Sequence, residues 1–389
     1  MKLRSLTLLL IAQITALSLW FLSGAILSDM LSETSITAGR QAALSSAVQL
    51  GFVAGALISA FLGLPDRYDP RTLFASSAIL AGLINLTLIL SEPGSNAAIM
   101  ARLMTGICLA GVYPVGMKIA VSWGKTDRAF LVGALVGALT LGSAMPHLFV
   151  YLGGGTDWRI IVTIASIAAV FAGLISFGIQ LGPHHTKAGA FNPRAIFEAW
   201  TNRSVRLAYL GYLGHMWELY AMWAWIGAIA LASYAATMEP DAARSFATLT
   251  AFLAIGLGGP VCLIAGRLAD RFGKAEVALI SMLLSGTFAL LAAFTFGGPA
   301  WLSFVIFIAW GIAIIPDSAL FSALVADHAP PEQTGSLMTL QTALGFALTF
   351  VTVQITPTIA AAVGWPAVLA GLAIGPAFGV LAMEKLRRL

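Results

Sequence analysis

Long apolar stretches follow one another along this chain, separated only by short charged or turn-forming breaks. They can be laid out at 6–31, 41–63, 72–91, 97–122, 129–150, 159–181, 204–233, 244–266, 275–296, 300–326, 334–356 and 364–386. Each approaches or exceeds the roughly 20 residues that a helix needs to cross a bilayer. Only 10% of the residues are charged, against about 25% in a soluble domain. Such a chain cannot cover its surface in water, so lipid must solvate most of it. Backbone groups in lipid have to satisfy one another, so the stretches are predicted to be helices. The expected fold is an all-α integral membrane protein with twelve transmembrane helices.

Orientation follows the distribution of Lys and Arg. With the N-terminus in the cytoplasm, the inside segments hold Lys2, Arg4, Arg67, Arg71, Lys125, Arg128, Lys187, Arg194, Arg203, Arg206, Arg267, Arg271, Lys274, Lys385, Arg387 and Arg388. The outside loops hold only Arg40, Arg159 and Arg244. Both termini are therefore expected inside, in a cytoplasmic (inner) membrane. The net charge of +4 is this bias seen in bulk and does not indicate nucleic-acid binding. The basic, then apolar N-terminus lacks a small-residue cleavage site and is read as a retained first helix. Cys108 and Cys262 fall within spans and suggest neither a disulfide framework nor a metal site.

Charged tight loops mark an internal repeat. Gly266-Arg-Leu-Ala-Asp-Arg-Phe-Gly-Lys274 separates two spans, and a worn copy lies half a chain earlier at Leu62-Gly-Leu-Pro-Asp-Arg-Tyr-Asp-Pro-Arg71. Gln13 and Trp20 match Glu218 and Trp225 at nearly the same offset, as does Asp127 with Glu332. The longest inside segment, 183–203, divides the spans six and six. The expected organisation is a six-helix bundle over 1–182, a cytoplasmic linker over 183–203 and a second six-helix bundle over 204–389. Duplicated halves of this kind place a substrate path at their pseudo-symmetric interface, near the bilayer midplane.

These loops resemble the signature of the major facilitator superfamily, Gly-x-x-x-Asp-Arg-x-Gly-Arg/Lys. Gly266, Asp270, Arg271, Gly273 and Lys274 fit it throughout. The first copy departs at Leu62 and Asp69 but keeps Asp66, Arg67 and Arg71. Arg102-Leu-Met-Thr-Gly106 echoes the superfamily's fourth-helix pattern. The resemblance implies secondary transport by alternating access, with the loops as latches that form in one state and break in the other. Acids there would accept from helix N-terminal amides, and bases would pair with neighbouring helix ends. The fifth span holds Gly133, Gly137, Gly142 and Pro146 but not the adjacent Gly-Pro usual in drug–proton antiporters. The buried Arg pair typical of nitrate porters is absent as well. Fold alone does not name a substrate.

Ionisable residues within spans are costly and functional by default. His215 and Glu218 are three apart and share a helix face. Burial favours the neutral form of a carboxylic acid, and a nearby imidazole can exchange protons with it. Those two, with Asp317 and Arg102, are the candidate proton-coupling residues. Arg102 lies toward the outer end of its helix, where snorkelling is the alternative. Asp317 follows Pro316, which breaks a backbone hydrogen bond and can expose a carbonyl, so Asp317 is either a substrate or proton site or a carboxylate that stabilises the kink. Lys118 either snorkels inward or faces the cavity, where it would favour an anion. The candidate substrate contacts are Gln13, Trp20, Tyr113, Lys118, Trp225 and Gln341. An aromatic wall on the seventh span would suit planar or cationic ligands.

No phosphate-binding loop, nucleophile elbow or His/Cys cluster is present, so no enzyme activity, cofactor or metal is expected. The sequence points to a monomeric, proton-coupled transporter in lipid that handles a small molecule and protons. Symport of a small organic anion is the leading expectation. Antiport of amphipathic drugs or metabolites is the runner-up, and a non-transporting assembly factor or sensor is the reading from another class.

Overall fold

The computed structural model describes residues 1–125, 127–185 and 191–389. Lys187, expected in the linker, lies outside them. Among the described residues the chain is helical throughout, without strands. Its long helical segments are α1 (Lys2–Glu33), α2 (Ala38–Leu62), α3 (Pro70–Leu90), α4 (Asn96–Val121), α5 (Arg128–Gly153), α6 (Trp158–Ser176), α7 (Arg203–Tyr234), α8 (Pro240–Phe272), α9 (Lys274–Thr295), α10 (Ala300–His328), α11 (Thr334–Val363) and α12 (Trp365–Leu386). Eleven of them are long and apolar enough to cross a membrane. The exception is α7, whose 32 residues include His215, Glu218 and a series of Tyr and Trp. At 1.5 Å per residue it is about 48 Å long, more than a bilayer core requires.

The first six helices pack mainly on one another, and so do the last six. Large apolar side chains stand exposed along the outer helices: Leu83 on α3, Phe171 on α6, Phe294 on α9 and Phe378 on α12. An apolar surface on this scale belongs in lipid. The two sets of helices meet where α2 packs on α11 and α5 on α8. Ser46 Oγ donates to Gln354 Oε1 at 2.7 Å, Gln354 Nε2 donates to Gly39 O at 3.3 Å, and Asp29 is ion-paired with Arg244.

Close helix contact in each half depends on a glycine at the same repeat position. A Cβ on Gly106 of α4 would strike the backbone carbonyl of Val48 on α2. A Cβ on Gly311 of α10 would strike that of Ala254 on α8. Small residues let membrane helices pack backbone to backbone.

Several of the long helices are interrupted. The first is regular over Lys2–Leu17 and again over Leu22–Glu33. The tenth stops at Ile314 and resumes at Ser318, on either side of Pro316, as the sequence predicts. Breaks like these free backbone carbonyls at membrane depth, where partners must be supplied.

Candidate functional site

The last six helices bury two carboxyl groups. On α7, Glu218 is 1% exposed. Trp310 Nε1 on α10 donates to its Oε1 at 2.7 Å, and Ser285 Oγ on α9 donates to its Oε2 at 2.8 Å. A turn away, His215 Nδ1 lies 2.9 Å from Asp317 Oδ1 in the α10 break, with both side chains buried. That approach falls short of hydrogen-bond geometry, so Asp317 Oδ1 has no hydrogen-bond partner among the described residues. The expected His215–Glu218 pairing therefore needs correcting. The two side chains share a side of α7, but each is taken by a different partner. The interruption at Pro316 carries Asp317 to the imidazole, while Ser285 and Trp310 occupy the glutamate.

Arg102 is fully buried rather than snorkelling. Its Nη2 donates to Leu19 O at 2.7 Å and Trp20 O at 2.9 Å, the carbonyls freed where α1 breaks. Its Nη1 donates to Asn85 Oδ1 at 2.7 Å, and Asn85 Nδ2 passes the chain on to Ser166 Oγ at 2.9 Å. The guanidinium is thus a clamp on the broken first helix. Gln13, one helix piece below, is fully buried against Gly116, and neither of its amide atoms has a partner among the described residues.

Of the other expected substrate contacts, Lys118 also needs correcting. Its ammonium pairs with Asp66 and donates to Pro65 O at 2.9 Å, so it is engaged by the charged loop after α2 and is not free to meet an anion. Trp225 Nε1 donates to Val353 O at 3.1 Å, and Gln341 Nε2 donates to Phe321 O at 3.4 Å. Both tie α11 to its neighbours. Tyr113 is half-buried at the start of the second piece of α4.

Trp20 does meet the seventh helix. Its ring centroid lies 5.9 Å from Tyr220, 5.6 Å from Phe346 and 4.8 Å from Phe52. Phe21 meets Trp223 edge-on at 5.6 Å. These rings form a closed aromatic layer between the first six helices and the last six.

The two charged loops, expected from sequence to act as gates, make ion pairs of opposite sign within their own halves. In the first loop Asp66 takes Lys118 of α4; in the second, Lys274 reaches Asp327 of α10 at 2.5 Å. Arg71 turns back on Asp69 at 2.6 Å and holds its carboxyl below the usual carboxylate range. Arg67 lies beside Gly63, and Arg271 stacks on Phe272. Gly273 has φ +101°, a conformation that glycine tolerates best, at the turn between α8 and α9. Asp270 stands exposed, and a Cβ on Gly266 would meet open space.

The sequence profile of the Major Facilitator Superfamily matches residues 8–353. The chain belongs to that superfamily. It is a transporter-family, multi-pass membrane protein. No curated protein matches it. Among solved structures, this superfamily member is similar to a bacterial homolog of the human lysosomal transporter Spinster in an inward-facing, occupied conformation (TM-score 0.75, 12% identity, covering 98% of this chain and 96% of that one). The unoccupied form of that homolog gives TM-score 0.73 at 13% identity, covering 100% and 98%. A mutant of the nucleoside transporter NupG gives 0.73 at 15% identity, covering 99% of both. At these identities the likeness is one of fold.

Sequence reasoning missed Ser285 and Trp310, the donors to Glu218. The available signal was chemical: a buried carboxylate requires donors, and polar positions on neighbouring spans are the candidates. It also missed His147 on α5, which the rule that singled out His215 would have caught. His147 is 1% exposed and lies against Gly227 of α7.

Proposed function

We propose that this protein is a proton-coupled secondary transporter that carries a small molecule across the inner membrane together with protons, by alternating access. In this reading α7 is the twelfth span, residues 1–182 and 204–389 are the two bundles, and 183–203 joins them on the cytoplasmic side. The protein works as a monomer in lipid with both termini inside.

The observation that carries the reading is the pair of buried carboxyls, Glu218 and Asp317. The groups bonded to Glu218 are neutral, and Asp317 lies against the His215 imidazole. Leaving an unpaired charge in an apolar interior costs several kcal/mol. Such a group carries a proton through the closed state and exchanges it where a cavity admits water. Protonation then biases the equilibrium between inward- and outward-open states by its different free energy in each. His215 is placed to tune Asp317, and the aromatic layer is placed to separate when the bundles rock. The superfamily neighbours support transport; the coupling rests on these side chains.

The test is proton movement in proteoliposomes with a trapped pH dye. Symport predicts lumen acidification that depends on added substrate and is lost in Glu218→Gln. Alkalinisation of an acid-loaded lumen would replace symport by antiport. Substrate flux with no proton movement would overturn the coupling.

A further inference from the structure

The rings between the bundles carry hydrogen-bonding heads with nothing to bond. Trp20 Nε1, Trp223 Nε1, Ser143 Oγ and both ring nitrogens of His147 are buried and have no partner among the described residues. Native structures pair nearly all such groups, so a cluster of exceptions calls for an explanation. These five atoms belong to one region. Trp223 and Gly227 are one turn apart on α7, and His147 lies against Gly227. Ser143 is one turn from His147 on α5. Phe21, beside Trp20, meets Trp223 edge-on.

Permanent charge is directed away from this region. Both terminal nitrogens of Arg102 are engaged, by Leu19 O, Trp20 O and Asn85, which leaves only its buried Nε without a partner among the described residues. Lys118 is held by Asp66 in the charged loop after α2. Asp29 is taken by Arg244, and Glu218 by Ser285 and Trp310. Among the described residues every one of these cations already has an oxygen partner, so an anion would have to compete for it, and burying an anion unpaired is costly. Ring faces alone would suit a cation, but two indole N–H groups are donors and require an acceptor.

We infer that the transported molecule is an uncharged, flat-ringed compound with hydrogen-bond acceptors, held by Trp20 and Trp223 with Ser143 and His147 completing its polar contacts. The inference rests on the transport reading above and replaces the organic anion that Arg102 and Lys118 suggested from sequence. In the closed packing the rings cover one another; separating the bundles opens the slot between them.

The test uses the full-length protein in nanodiscs, without a proton gradient, and two sets of probes that share a ring and differ in charge. One set is nicotinamide, nicotinate and 1-methylnicotinamide. The other is indole-3-acetamide, indole-3-acetate and tryptamine. Binding is read by calorimetry and by thermal stabilisation. The neutral member of at least one set is expected to bind at least about tenfold more tightly than its charged partners. Trp20→Phe and Trp223→Phe, which keep the ring and remove the N–H, are each expected to weaken it about three- to tenfold, the effect of one lost hydrogen bond. The melting point of each ligand-free variant reports whether it is folded.

Equal or tighter binding of a charged member, no binding by either neutral member, or unchanged affinity in both folded Trp variants overturns the inference. Neutral-ligand binding without proton flux would sink only the coupling. Anion binding with proton flux would sink only the substrate class.

Discussion

The two halves of this chain share a scaffold and differ in charge. Gly106 and Gly311 bring α4 onto α2 and α10 onto α8 at matching positions. On that common frame the first half buries a permanent cation, Arg102, spent on the carbonyls of a broken helix. The second half buries acids, Glu218 and Asp317, beside neutral donors and an imidazole. Glu218 is matched by Gln13, an amide that cannot titrate. The comparison suggests a division of labour on the proposed reading, in which the first half is a fixed clamp and the second half holds the groups proposed to gain and lose protons. The two charged loops differ in the same way. Asp66 reaches a base in the first half and Lys274 an acid in the second, so each loop is ion-paired to its own half with the polarity reversed.

The largest break of this comparison comes from exchanging the buried groups. Glu218→Gln turns the second half into a copy of the first and is expected to lower proton-driven accumulation at least about tenfold, with little change in melting point. The converse, Gln13→Glu, places a carboxyl where no donor waits, and is expected to destabilise by about 1–3 kcal/mol as measured by thermal unfolding. A Gln13→Glu variant that is stable and carries protons would erase the distinction between the halves.

Arg102→Met tests the clamp. It leaves two backbone carbonyls and Asn85 Oδ1 without a donor, and about 3 kcal/mol of stability should go with it. Substrate-independent proton binding should survive in whatever fraction folds. The glycine frame gives a smaller effect. Gly106→Ala and Gly311→Ala each force overpacking, at about 1–3 kcal/mol, and the two should cost alike. A large asymmetry in melting point would mean that the shared scaffold is less symmetric than its geometry.

Sequence made the frame legible because span length, loop charge and helix breakers are local properties. The Pro316 break and the membership of Glu218, His215 and Asp317 in a buried polar site followed from residue type and depth. The partners did not. His215 is three residues from Glu218, yet its ring goes to Asp317, because the α10 break decides which acid comes near. Arg102 is held by the carbonyls of Leu19 and Trp20, and no side chain announces those acceptors. Lys118 could be placed near an inner helix end, but only tertiary packing brings Asp66 to it.

The smallest expected effect lies at the cytoplasmic edge. Arg71 holds Asp69, and Lys2 holds Asp127, each below the ordinary carboxylate value of 3.8. Folded values below the unfolded one mean stability that is present above that pH and lost as pH falls through the lowered values. Exposed pairs contribute little, so acid should shift the melting point only slightly, and added salt should mimic it. A large loss near neutral pH would show that other groups dominate.

The most direct measurement of the central claim is infrared difference spectroscopy of carboxyl groups across a pH step, in the wild type and in a Glu218→Gln/Asp317→Asn double variant. If the second half holds the titrating protons, the buried carboxyl signal disappears in the double variant and persists in Gln13→Asn. A signal that survives the double variant unchanged would place the proton elsewhere and contradict the account.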